Sequence, residues 1–167
     1  MDNIGLSNLT EDGKSIFFLG LSEKALSAFS QKEDRIIAQG VLYKCWEWLN
    51  GKENIGDILY ESLDNEENGL TIIQEMSDNE TDVAAWNCII DAVAYTSRKA
   101  FEREGVKYYP EPIALVDDTL VDHFITMCIE NSDIYIRRIK YLLDDYMDGN
   151  FKLDLRTEVL REFQIQN

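Results

Sequence analysis

Residues 79–104 read NETDVAAWNCIIDAVAYTSRKAFERE, and the spacing inside this stretch decides the fold class. Val83, Trp86, Ile90, Val93, Ser97 and Ala100 recur at intervals of three and four, which places them on one stripe of an α-helix and on no single face of a strand. No proline interrupts the run, and Gly105 follows it as a residue able to turn left-handed past the helix end. Just upstream, Ser77-Asp78-Asn79-Glu80 has capping-box spacing, in which a serine and a glutamate satisfy free N–H groups at a helix start. Asp78, Glu80 and Asp82 then fall where carboxylates complement the helix dipole, at about 0.3 to 1 kcal/mol each. A long helix, central to the packing, is the expectation.

Working outward, the same periodicity predicts helices at 11–28, 32–50, 53–63 and 68–76, and after residue 117 at 118–130, 133–148 and 154–165. Ser30-Gln31-Lys32-Glu33 repeats the capping-box spacing, Gly51 and Gly149 supply stops, and Asp118 and Asp154 suit the cap positions. The only two prolines, Pro110 and Pro112, stand in Tyr108-Tyr109-Pro110-Glu111-Pro112, where fixed φ and lost donors predict an extended connector over 106–116. The fold expected is all-α: one compact multi-helix domain of about seven to eight helices over residues 1–167. In the 32–50 helix, Ile37, Val41, Cys45 and Trp48 share a side while Tyr43 and Trp46 point elsewhere. That helix is therefore either wrapped on several sides or offers an aromatic patch to a partner.

Hydrophobic residues make up 45% of the 167 and charged residues 29%, a composition that folds rather than one that stays disordered. Met1-Asp2-Asn3-Ile4-Gly5 carries no basic start leading into an apolar run, so a cytoplasmic location is expected. Three cysteines, Cys45, Cys88 and Cys128, lie far apart and read as buried reduced thiols. The formal net charge of −16 disfavours nucleic acid and anionic membrane as partners and favours a basic protein.

That charge is concentrated. Between Lys52 and Arg98 there is no lysine or arginine, while Glu53, Asp57, Glu61, Asp64, Glu66, Glu67, Glu75, Asp78, Glu80, Asp82 and Asp91 all fall within the span. Spacing by fours and a three puts Glu53, Asp57, Glu61 and Asp64 on one stripe of the predicted 53–63 helix, opposite Ile55, Ile58 and Leu59, with Tyr60 beside it. Like charges at i and i+4 cost a helix about 0.2 to 0.5 kcal/mol per pair, so helix stability does not account for the pattern. Two readings stand. One is a docking surface of Glu53, Asp57, Glu61, Asp64, Glu66 and Glu67 for a cationic partner, with Tyr60 as its aromatic anchor. The other is a solvated face that favours solubility.

Residues that would carry chemistry do not converge. Asp64-Asn65-Glu66-Glu67-Asn68-Gly69 with Glu75 approaches calcium-loop spacing, but Glu66 is too long for its position and Thr71 stands at position eight, so a polar turn is the better reading. His123 is the only histidine, which removes two-histidine metal sites, and its neighbours Asp122 and Cys128 are not spaced to face it on a helix. The pairs Asp117-Asp118 and Asp144-Asp145 read as caps or solvated faces, and no glycine-rich phosphate loop follows a strand. No cofactor, no metal and no enzymatic activity are expected.

Trp86 in the long helix, followed by Tyr109-Pro110-Glu111-Pro112-Ile113, resembles the sixth-numbered family of helical immunity proteins from bacterial polymorphic-toxin systems. The resemblance implies a cytosolic antidote that binds a cognate toxin domain and blocks its active site, with no catalytic residues to carry over. An acidic stripe suits a basic, nuclease-like toxin. Two alternatives remain: an intracellular regulatory or scaffold domain assembling through Trp46 and Trp48, and, more remotely, a small-molecule enzyme.

Overall fold

The structure, a computed structural model, describes residues 10–117, 119–120 and 155–162. The helix expected at 133–148, all of that expected at 118–130 except residues 119–120, the caps Asp118 and Asp154, the stop Gly149, and His123, Cys128 and Asp144-Asp145 lie outside the described residues.

Every regular element among the described residues is helical, which makes the fold all-α. In chain order these are α1 (Glu11–Ala25), a 3-10 turn (Leu26–Ala28), α2 (Lys32–Leu49), α3 (Gly56–Asp64), α4 (Leu70–Glu75), α5 (Glu80–Glu104), α6 (Glu111–Ala114) and α7 (Leu155–Glu162). The long helix α5 packs against α1, α2, α3, α4 and α6, as its stripe predicts. Trp86, Val93, Ser97 and Ala100 are buried, while Val83 and Ile90 sit at the margin.

Helix α1 shares the centre with it. Every residue from Ser15 to Glu23 is buried, so the helix is enclosed on all sides by α2, α5 and α7, the usual environment of a helix that is apolar all round. Each buried Phe or Leu in that run contributes about 1.5 to 3 kcal/mol. The one carboxylate inside it, Glu23, is fully engaged. It accepts the Trp46 indole N–H at 3.0 Å and the Arg156 Nε and Nη2 at 3.0 and 3.4 Å, which ties α1 to both α2 and α7.

Those contacts remove the reading in which the chain assembles through Trp46 and Trp48. Trp46 and Trp48 are 1% and 3% exposed, one turned inward onto Glu23 and the other covered by the Arg103 guanidinium 4.1 Å from its ring. Large aromatics close on the core rather than form a surface when a helix is flanked on two sides. Tyr43 alone of the three faces out.

The helix starts also differ from expectation. Ser30 does not cap α2, because its N–H and hydroxyl both donate to the buried Asp82 of α5, and Gln31 stands at the cap instead. Asn79, not Ser77, caps α5, accepting the Asp82 N–H at 3.1 Å. A partner distant in sequence outcompetes the local one in the first case. The proline connector is not wholly extended either. Pro110 caps the single turn α6, where Ile113 is buried, since the missing proline N–H is one that a helix start leaves free anyway. The expected stops hold: Gly51 and Gly105 adopt φ of 105° and 73°.

Cys45 is a free, buried thiol, as expected. Cys88 is disulfide-bonded rather than reduced, which spacing along the chain does not reveal.

Candidate functional site

The acidic stretch is organised by one close approach. Gly56, at the first position of α3, lies against α5 so tightly that a Cβ there would sit 2.8 Å from Cδ1 of Phe101. Its N–H donates to Glu104 Oε1 at 3.1 Å, and its carbonyl accepts the Ser97 hydroxyl at 2.9 Å. Leu59 and Leu63 follow on the same side and are buried. With that face committed to α5, the opposite face of α3 points away from the core.

On that outer face stand Asp57, Glu61 and Asp64, all exposed, spaced so that about 100° of rotation per residue keeps them in one strip. Beyond the helix, Asn65 Oδ1 accepts the N–H groups of Glu67 and Asn68 at 2.8 and 3.3 Å. The resulting Asx-type turn carries Glu66 and Glu67 outward. This is the polar turn that the sequence suggested in place of a calcium loop. Among the described residues, no group of three or more histidine, cysteine or acidic side chains is arranged to hold a metal ion.

Three expected placements need correcting. Glu53 is exposed but precedes α3, in a segment where Asn54 takes φ of 60°, so it is not part of the helical strip. The close seating of Gly56 on Phe101 delays the helix start. Tyr60 is half-buried rather than presented, and its hydroxyl donates to Asp64 Oδ2 at 2.7 Å. That hydrogen bond to a carboxylate, with partial burial and the Asp64 charge, raises the phenol above its ordinary range. Ile58, expected on the buried face, is instead 47% exposed.

None of the ion pairs among the described residues involves Glu53, Asp57, Glu61, Asp64, Glu66 or Glu67. The arginines and lysines of α5 and α7 turn to Glu11, Asp12, Glu23, Glu102 and Glu158 instead. Carboxylates left in water this way contribute little to stability and keep their charge for an outside partner.

Two depressions flank this region. A groove of about 430 Å³ between α2 and α3 is lined by Lys44, Asp57, Ile58, Glu61, Ser62, Asn65 and Asn68. A second hollow of about 620 Å³ is lined by Ser30, Gln31, Asp34, Ile73, Met76, Ser77, Asp78, Asn79 and Asp82. Burial, then the nearby Asp82 and Glu33 charges, push the Asp34 carboxyl above the usual carboxylate range. Neither depression was legible in the sequence, because each joins side chains of helices that only packing brings together.

A family model for the immunity protein Imm6 matches residues 13–131. This chain belongs to the Imm6 family. No curated protein and no solved structure matches it. In this Imm6 protein the matched residues include the whole of α2 to α6, and with them the acidic strip, the groove and the second hollow. Among the described residues, no helix is long and apolar enough to cross a membrane.

Proposed function

We propose that this Imm6 protein neutralises a toxin domain by stoichiometric binding in the cytoplasm of the cell that makes both. The observation that carries the reading is the exposed, unneutralised strip of Asp57, Glu61 and Asp64, extended by Glu66 and Glu67 at the following turn. A partner with a basic cleft, such as a nuclease, offers lysines and arginines in the places where it would hold phosphates. Carboxylates on a rigid helix occupy such a cleft in place of the nucleic acid. They steer the encounter at long range and form charge-assisted hydrogen bonds on contact. The protein acts by occlusion, without catalysis, cofactor or metal, and its own surplus of negative charge keeps it off nucleic acid and anionic membranes. Glu53 and Tyr60 belong to the same region, Glu53 at the approach to the helix and Tyr60 as a support that holds Asp64 in place.

The test pairs the purified chain with the C-terminal domain of the protein that the adjacent gene encodes. Co-purification as a complex is expected, and a triple change of Asp57, Glu61 and Asp64 to lysine should slow association at low salt by at least about tenfold. Absence of a complex with the wild-type chain removes the antidote reading. A complex whose association rate ignores the triple change removes the electrostatic mechanism.

A further inference from the structure

The exposed side of α2 is not uniformly polar: an apolar strip runs among its charged residues. Its outward sector, within about 120° of rotation, holds Glu33, Ile36, Ile37, Gly40, Tyr43, Lys44 and Glu47, so that an apolar strip is edged by two acids and one lysine. Ile36 is 57% exposed, Ile37 41% and Tyr43 54%. Across the groove, Ile58 of α3 adds a further apolar side chain beside Asp57 and Glu61. The glycine in the middle is costly: in a helix interior it forfeits about 1 kcal/mol relative to alanine. Packing among the described residues does not explain it, since nothing there lies within 4 Å of where a Cβ would stand. A glycine that no neighbour requires makes sense where the backbone of another molecule comes close.

We infer that this face of α2 is the apolar half of the docking surface whose acidic half is α3, and that both are covered by one cationic toxin domain. The inference rests on the antidote reading above. The occupant follows from charge. Asp57 and Glu61 line the groove beside the apolar strip, so an apolar ridge flanked by lysine or arginine fits both halves at once. A second copy of this chain would instead press together two molecules of formal net charge −16. The two halves divide the work: the acids govern how fast the partners meet, and the desolvated apolar strip governs how long they stay.

The experiment measures association and dissociation rates for that same C-terminal toxin domain against Gly40→Gln, Tyr43→Ala and the α3 triple lysine variant, over a range of salt. Gly40→Gln fills the open space with a neutral side chain of better helix propensity, so its thermal midpoint should equal or exceed that of the wild type. Gly40→Gln and Tyr43→Ala are each expected to speed dissociation by at least about tenfold while leaving the salt dependence of association unchanged. Unchanged dissociation in both, with slowed association in the triple variant, overturns this inference and leaves the antidote reading standing. No binding by the wild-type chain overturns both. A wild-type dimer in sizing that Gly40→Gln dissolves would assign the face to a second copy and overturn the choice of occupant.

Discussion

Gly56 touches Phe101 with no room between them: the ring's Cδ1 lies 2.8 Å from the position a Cβ would take. This contact sets where α3 begins and which of its faces meets solvent. Ser97, four residues before Phe101 on α5, and Glu104, three after it, hold the same glycine by hydrogen bonds to its carbonyl and its N–H.

Gly56→Ala should therefore destabilise the protein, although alanine is the better helix former. The propensity gain is at most about 1 kcal/mol, whereas forcing a methyl against a buried ring costs about 1 to 3 kcal/mol. Gly40→Ala, at an open helical site, should instead stabilise by about 0.5 to 1 kcal/mol. Urea unfolding of the two variants side by side checks the contrast, and equal shifts would mean that α3 is not seated on Phe101.

Glu23 is the hub for α1, α2 and α7. Replacing it by alanine strands the Trp46 indole N–H and takes a carboxylate partner from the Arg156 guanidinium, both largely out of water. Removing one member of a buried charged network costs about 3 to 5 kcal/mol. Equilibrium unfolding followed by tryptophan fluorescence reads this loss directly. A change under about 1 kcal/mol would show that the network does not hold the helices together.

Glu61→Lys separates stability from binding. It places a lysine four residues after Asp57 and three before Asp64, converting repulsive neighbours into attractive ones worth a few tenths of a kcal/mol each. The thermal midpoint should rise slightly at low salt and the gain should fade at high salt, while association with the toxin domain slows. A fall in the midpoint would show that Glu61 has a partner within the fold.

The thiols supply a pH test. Burial pushes Cys45 up to about 12 from an ordinary value of 9.0. Its folded pKa thus exceeds its unfolded one, so the folded state retains a proton that the unfolded state gives up. Stability from this group is complete below pH 9.0 and is lost as the pH climbs toward about 12, at up to about 1.4 kcal/mol per unit. Urea midpoints between pH 8 and 10 should fall less steeply in Cys45→Ala after correction for its cavity. Cys88 gives a separate check: the proposed action in a reducing cytoplasm requires that dithiothreitol leave the helical circular dichroism intact.

Much of the fold was legible along the chain. The spacing of Trp86, Val93, Ser97 and Ala100 identified α5, and helices were placed within a few residues at 11–28, 32–50 and 68–76, because helical periodicity is a local property written in consecutive residues. The same holds for the left-handed stops at Gly51 and Gly105. The likeness to an immunity family, carried by Trp86 and the proline segment, is matched by the family model over residues 13–131.

What the chain by itself determined, then, is its helices, its family and the stretch free of lysine and arginine, since each is a matter of which residues follow one another. Only the tertiary structure decided which sides of those helices meet water. Trp46 turned inward because Glu23 accepts its indole N–H, Ile58 turned outward because Gly56 seats the other face of α3 on Phe101, and Ser30 left its own helix to bond Asp82. Each outcome depends on a partner at least 20 residues away, and burial and hydrogen-bond competition between such distant groups are settled only when the helices pack.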